Sequence, residues 1–130
     1  MPATSTPLAL GQLLQLSMNA HDLSRAIAFY RDTLGVPFLF EAPPAMAFFD
    51  CGGVRLMLSR PSAPEYDHPG SILYFRVHDI HEAHATLVAR GVQFGSEPHL
   101  IAKLPDRDVW LADFRDTEGN YLALMSEVRP

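Results

Sequence analysis

Apolar residues fall in short runs whose spacing alternates between that of strands and that of helices. Leu13 to Met18 is brief, apolar and flanked by polar residues, which predicts a strand. Asp22 is suited to cap a helix starting at Leu23, with Leu23, Ala26, Ile27, Tyr30 and Leu34 on one buried face and Gly35 ending it. Val36 to Glu41, Ala45 to Phe49 and Val54 to Leu58 are three further strand candidates, separated by Pro43-Pro44 and by Cys51-Gly52-Gly53. Arg60 to Gly70 carries three prolines and reads as a linker. After it the order returns. Ile72 to Val77 predicts a strand. Asp79 caps a helix with Ile80, Ala83, Leu87 and Val88 inward, and Gly91 ends it. Val92 to Phe94, Val109 to Phe114 and Tyr121 to Met125 are the strands that follow.

The recurrence is a repeat. Asp22 and Asp79 stand 57 positions apart, each between a strand and a helix, and the helices end in Leu34-Gly35-Val36 and Arg90-Gly91-Val92. Asp50 and Asp116 stand 66 apart, each before a glycine turn and a strand. The chain therefore reads as two βαβββ modules, the first at about 11–59, a linker at about 60–70 and the second at about 71–126 of one domain spanning 1–130.

Composition narrows the class. With 130 residues, 48% of them apolar and 19% charged, the chain is globular and large enough for a core. A net charge of −5 argues against a nucleic-acid partner. The single cysteine, Cys51, cannot form an internal disulfide, which points to a reducing compartment. The start lacks a basic segment, and its apolar stretch, Leu8 to Leu16, is broken by Gly11, Gln12 and Gln15. Neither a signal peptide nor a membrane span, which needs roughly 20 apolar residues, is expected. Pro2 to Pro7 reads as a loose tail, and the expected location is the cytoplasm.

Three segments carry a family resemblance: Asp22-Leu23-Ser24-Arg25-Ala26 through Phe29-Tyr30-Arg31-Asp32 to Leu34-Gly35, then Phe75-Arg76-Val77-His78-Asp79-Ile80, then Phe114-Arg115-Asp116-Thr117-Glu118-Gly119-Asn120. Together they resemble the vicinal-oxygen-chelate superfamily, which includes glyoxalase I, bleomycin-resistance proteins and extradiol dioxygenases. The resemblance implies an α+β fold in which two βαβββ modules form curved mixed sheets around a cavity, and a homodimer. It also implies where metal-dependent relatives place ligands: seven residues before each helix-capping Asp and seven after each turn Asp. Those positions are Gln15, Ile72, Met57 and Ala123. Only Gln15 offers an oxygen to a hard cation, so neither a metal nor another cofactor is expected.

With these four facing inward, strand alternation adds neighbours: Leu13 and Ser17, Arg55 and Ser59, Tyr74 and Arg76, Tyr121 and Met125. The candidate ligand-binding residues are Gln15, Ser17, Met57, Ile72, Tyr74, Trp110, Tyr121 and Ala123. Met57 and Ile72 could equally fill a core. His99 is the candidate catalytic residue, because histidine moves protons near neutral pH. His78, His81 and His84, spaced by three, read as a solvated face or an adventitious nickel or zinc site. Glu41, Glu118, Glu127 and Asp50 read as solvated turn residues, and Cys51 has no evident activating base. Two functions stay open: a metal-free protein that binds a small, partly apolar molecule, or a metal-independent isomerase or lyase acting on a small oxygenated substrate.

Overall fold

In the structure, a computed structural model, residues 8–129 are described, so the tail at Pro2 to Pro7 lies outside them. The first half holds β1 (Gln15–Asn19), α1 (Leu23–Ala28), β2 (Phe38–Ala42), β3 (Met46–Cys51) and β4 (Val54–Ser59). The second holds β5 (Leu73–Arg76), α2 (Ile80–Ala89), β6 (His99–Lys103), β7 (Asp108–Arg115) and β8 (Tyr121–Val128). Each half forms a four-stranded sheet, in the order β1-β4-β3-β2 and β5-β8-β7-β6. The β1–β4 and β5–β8 pairs are parallel and the others antiparallel. This is the expected α+β class, with mixed sheets repeated in one order.

The caps work as their sequence positions suggest. Asp22 accepts the Arg25 amide at 3.1 Å, and Asp79 accepts the amides of His81 and Glu82. Beyond α1 the backbone widens into a π turn over Phe29–Thr33, closed by Leu34 N–H to the Phe29 carbonyl at 2.9 Å. Gly35 (φ +74°) and Gly91 (φ +92°) then reverse the chain in a region other residues avoid. Alternate strand residues pack on the helices. Met18, Ala47, Phe49, Leu56 and Leu58 of the first sheet join Ala112, Phe114, Leu122 and Leu124 of the second and helix residues Ala26, Ile27, Tyr30, Ile80 and Leu87 in one core. Among the described residues no helix of the core packs on the opposite face of each sheet, although Phe48, Val109 and Ala123 there are buried by their neighbours.

The expected strand at Val92 to Phe94 shrinks to a single bridge between Phe94 and Phe114. Gly95 still donates to the Asp113 carbonyl at 2.8 Å, but Pro98 has no amide to donate, and the edge pairing is interrupted until His99. It resumes as β6, where the sequence pattern predicts no strand. A bulge between Leu100 and Ala102 disturbs the period of two that would have revealed it.

The repeat also needs a one-residue correction. Leu16 pairs with Leu56, and Leu73 with Leu122, so β4 and β8 correspond by 66. Phe49 pairs with Leu56, and Phe114 with Leu122, so β3 and β7 correspond by 65. The second turn is one residue longer. The counterpart of Asp116 is therefore Cys51, and Asp50 corresponds to Arg115.

Asp116 is buried and joins the halves. It accepts the Tyr30 hydroxyl at 2.7 Å, the amides of Glu118 and Asn120 at 2.8 Å each, and the Asn120 side chain at 2.8 Å. Asn120 also donates to the Asn19 carbonyl at 2.9 Å. Glu118 is not the solvated turn residue expected: its side chain is 1% exposed, and it accepts from the Asp22 amide (2.8 Å), from Arg25 (2.9 Å) and from Thr117 (2.9 Å). Burial, then the Asp116 charge, push the Tyr30 hydroxyl far above its ordinary pKa, so it remains a donor. Partial burial pushes the Glu118 carboxyl up, but its hydrogen bonds and the Arg25 charge outweigh this and hold it below its ordinary value.

Tyr30→Phe leaves one lone pair of Asp116 unmatched and lowers stability by about 1.5–3 kcal/mol, read as a lower urea midpoint at unchanged slope. The depressed Glu118 pKa stabilises the fold fully above the ordinary value of 4.5, and that contribution disappears as pH falls through the folded value. Stability accordingly falls with acidification below about pH 4.5, and Glu118→Gln flattens that limb of the midpoint–pH curve.

Candidate functional site

The uncovered sheet faces carry most of the candidate residues. On the first, strand register sets Gln15 beside Arg55, Ser17 beside Met57, Met57 opposite Phe48, and Phe48 opposite Phe40. Arg55 Nε donates to Gln15 Oε1 at 2.8 Å, and Gln15 Nε2 reaches Met57 Sδ at 3.8 Å. The Arg55 guanidinium also lies 5.5 Å from the centre of the Phe48 ring, and the Phe40 and Phe48 rings are 4.7 Å apart. The result is an aromatic floor with one cation and one amide held over it.

On the second sheet, Tyr74 stands beside Ala123, Ala123 opposite Asp113, and Tyr121 opposite Arg115. The Arg115 guanidinium sits 4.4 Å over the Tyr121 ring, and Arg115 donates to the Tyr121 hydroxyl. Ile72, Tyr74 and Tyr121 remain 47%, 53% and 45% exposed. Each face thus repeats one theme, an arginine laid on an aromatic ring.

The four positions that the fold would use for a metal do not fit one. Gln15 and Met57 do come together, but the only suitable oxygen is already bonded to a guanidinium, whose positive charge opposes a second cation. Met57 brings a soft thioether, Ile72 a hydrocarbon and Ala123 no donor. Among the described residues, no three His, Cys, Asp or Glu side chains gather as a metal site would require.

One candidate stands elsewhere. Trp110 lies on the helix-facing side of β7, part-buried against the core, with its ring 5.3 Å from His81. A residue between Val109 and Leu111 must face away from both, so Trp110 cannot wall the open face. The spaced histidines are not simply a solvated face either. His81 covers Trp110, and His84 lies 4.4 Å from the Phe94 ring with its side chain 15% exposed. Their rings are committed to aromatic neighbours rather than to one another.

His99 opens β6 opposite Leu111, on the face that also holds Met125 and Arg76. It is exposed, and its Nδ1 lies 2.8 Å from the Glu97 carbonyl, so Nδ1 donates there and, in the neutral ring, Nε2 is left to accept. Cys51 is half-buried, and burial followed by the Asp50 charge push its thiol up, against a nucleophilic role. Phe40, Phe48 and Arg115 are the residues that sequence reasoning missed. Counting back across the Gly52-Gly53 turn sets Phe48 opposite Met57, a signal present in the chain.

Comparison with known proteins now decides the family. The sequence profile of the Glyoxalase/Bleomycin resistance protein/Dioxygenase superfamily matches residues 12–124. The chain belongs to this superfamily. Among its relatives, the uncharacterized protein YraH of Bacillus subtilis (strain 168) is 28% identical over 129 residues, covering 87% of this chain and 96% of that protein. A superfamily member from Sphaerobacter thermophilus DSM 20745 superposes with a TM-score of 0.77 at 26% identity, over 92% of this chain and 100% of the other. TnmS3, an antibiotic binding protein from Streptomyces sp. CB03234, superposes with a TM-score of 0.74 at 22% identity, over 92% and 98% of the two chains. Among the described residues, this superfamily member has no helix long and apolar enough to cross a membrane.

Because His99 is exposed at an edge and bonded only to a neighbouring carbonyl, His99→Ala keeps the fold. Its urea midpoint should correspond to a change within about 0.5 kcal/mol of the parent.

Proposed function

We propose that this superfamily member binds a small, partly apolar, planar molecule on its open sheet faces and does so without a metal. The observation that carries the reading is the Arg55–Gln15 bond at 2.8 Å, which puts a guanidinium where relatives that use metal would need a free donor. A guanidinium over Phe48 and another over Tyr121 suit aromatic or conjugated ligands bearing oxygen atoms, which stack on rings and accept from arginine. The likeness to an antibiotic binding protein in fold is consistent with such a ligand. Exposed Leu100, Ile101 and Leu104, at the β6 edge, are apolar area that a second copy of the chain would cover, which supports a homodimer as the active form; its expected location is the cytoplasm.

Binding is tested by calorimetry of chelator-treated protein against a panel of planar, oxygenated aromatic antibiotics. The expected result is saturable binding that survives chelation and is abolished by Met57→Arg, which crowds the face beside Gln15. Binding that appears only on adding a divalent ion would overturn the metal-free reading, and no binding across the panel would remove the ligand class.

A catalytic reading is favoured by one observation, the free Nε2 of His99 on the same face as Tyr74. In that case His99 takes a proton from a small oxygenated substrate and arginine stabilises the resulting anion, giving an isomerase or lyase. Loss of turnover in the folded His99→Ala variant separates this reading from simple binding.

A further inference from the structure

The repeat makes each contact of α1 comparable with a position on α2. At the first junction, Arg25 and Tyr30 of the first half bond Glu118 and Asp116 in the turn between β7 and β8. At the second, α2 faces the shorter turn between β3 and β4. Shifting by 57, Glu82 stands for Arg25 and Leu87 for Tyr30. Cys51 stands for Asp116, and Gly52-Gly53 supply no side chain where Glu118 would be. None of the polar bonds that close the first junction can form.

The space is left as a groove of about 1040 Å³ on the helix side, lined by Leu16, Val54, Leu73, Phe75 and Leu87, with Cys51 in its wall. It shares Ile72, Tyr74 and the edge strand β5 with the sheet-face site, but Gln15, Ser17, Met57 and Ala123 do not line it. Its size matches that of small-molecule pockets. Its charges are unbalanced. Asp79 and Glu82 line it, and among the described residues neither of them meets a cationic side chain. Of the arginines that also reach it, Arg76 pairs with Glu127 at 3.5 Å, and Arg90 keeps its charge but stands at the opposite end of α2 from Glu82, on the Thr33 carbonyl at 2.8 Å.

We infer that this groove is a second ligand site, selective for a small molecule with an apolar body and one ammonium group. The body replaces the packing that the missing turn residue and Tyr30 provide at the first junction. The ammonium meets the unpaired carboxylates, Glu82 first because it caps nothing.

The test uses n-decylammonium, with decanoate and 1-decanol as controls, on the full chain. Cys51 is the sole thiol, so the rate of its labelling by N-ethylmaleimide reports occupancy of the groove directly. The expected result is saturable protection by decylammonium, weaker protection by decanol and none by decanoate. By calorimetry, Glu82→Gln weakens decylammonium binding roughly fivefold, the change that about 1 kcal/mol of rim ion pairing makes. Thr86→Trp, a change at an exposed helix position on the groove, abolishes it. Met57→Arg, which blocks the sheet face, leaves it unchanged. Equal protection by decanoate, binding that survives Thr86→Trp, or binding lost in Met57→Arg each overturns the inference. Failure of the antibiotic panel alone does not touch it.

Discussion

A carboxylate taken out of water must be matched by donors, and Asp116 meets that requirement with four of them. Three belong to its own turn and hold the turn's shape. The fourth, the Tyr30 hydroxyl, comes from the other half of the chain, so the charge can be buried only when the halves are docked. Asn120 and Glu118, positioned by that turn, then fasten the end of β1 and the start of α1. The relative placement of the sheets follows from this cluster, and with it the faces they leave open. Apolar packing supplies most of the driving force, but it is non-directional and would tolerate other dockings. The carboxylate does not.

On the open faces the same charge logic decides chemistry. A divalent ion and an arginine compete for one kind of partner, and Arg55 occupies the oxygen of Gln15. In the proposed function the side chain that competes with the ion would also provide recognition, because a guanidinium held against an aromatic ring offers a flat donor surface.

Helices and turns were legible because their signals are local. Asp22, Asp79, Gly35 and Gly91 act within one turn of where they stand. The repeat was legible too, but its offset along β3 and β7 was not. One added residue in the second turn moves Asp116 onto the core face while leaving Asp50 on the open one. β6 escaped because a bulge, a proline and a glycine disturb the alternation that marks a strand. Gln15 and Met57 were correctly brought together, since parallel β1 and β4 follow from the repeated unit. Trp110 was set on the wrong face because alternation was not counted through from Ala123 across the hairpin. The Tyr30–Asp116 bond spans 86 positions, and no periodicity links residues so far apart. His81 and His84 likewise found aromatic partners that only tertiary packing supplies.

The added residue in the turn between β7 and β8 also makes the molecule mechanically one-sided. Polar bonds clasp one seam between the halves, while the glycine turn at the other seam contributes none. Among the described residues, parting the halves on the Gly52-Gly53 side breaks the Arg90–Thr33 bond, whereas parting them on the Asp116 side breaks four bonds, those of Asp116, Asn120 and Glu118 to the first half. The inherited symmetry of the duplication survives in the backbone, and the bonding across the two seams has lost it.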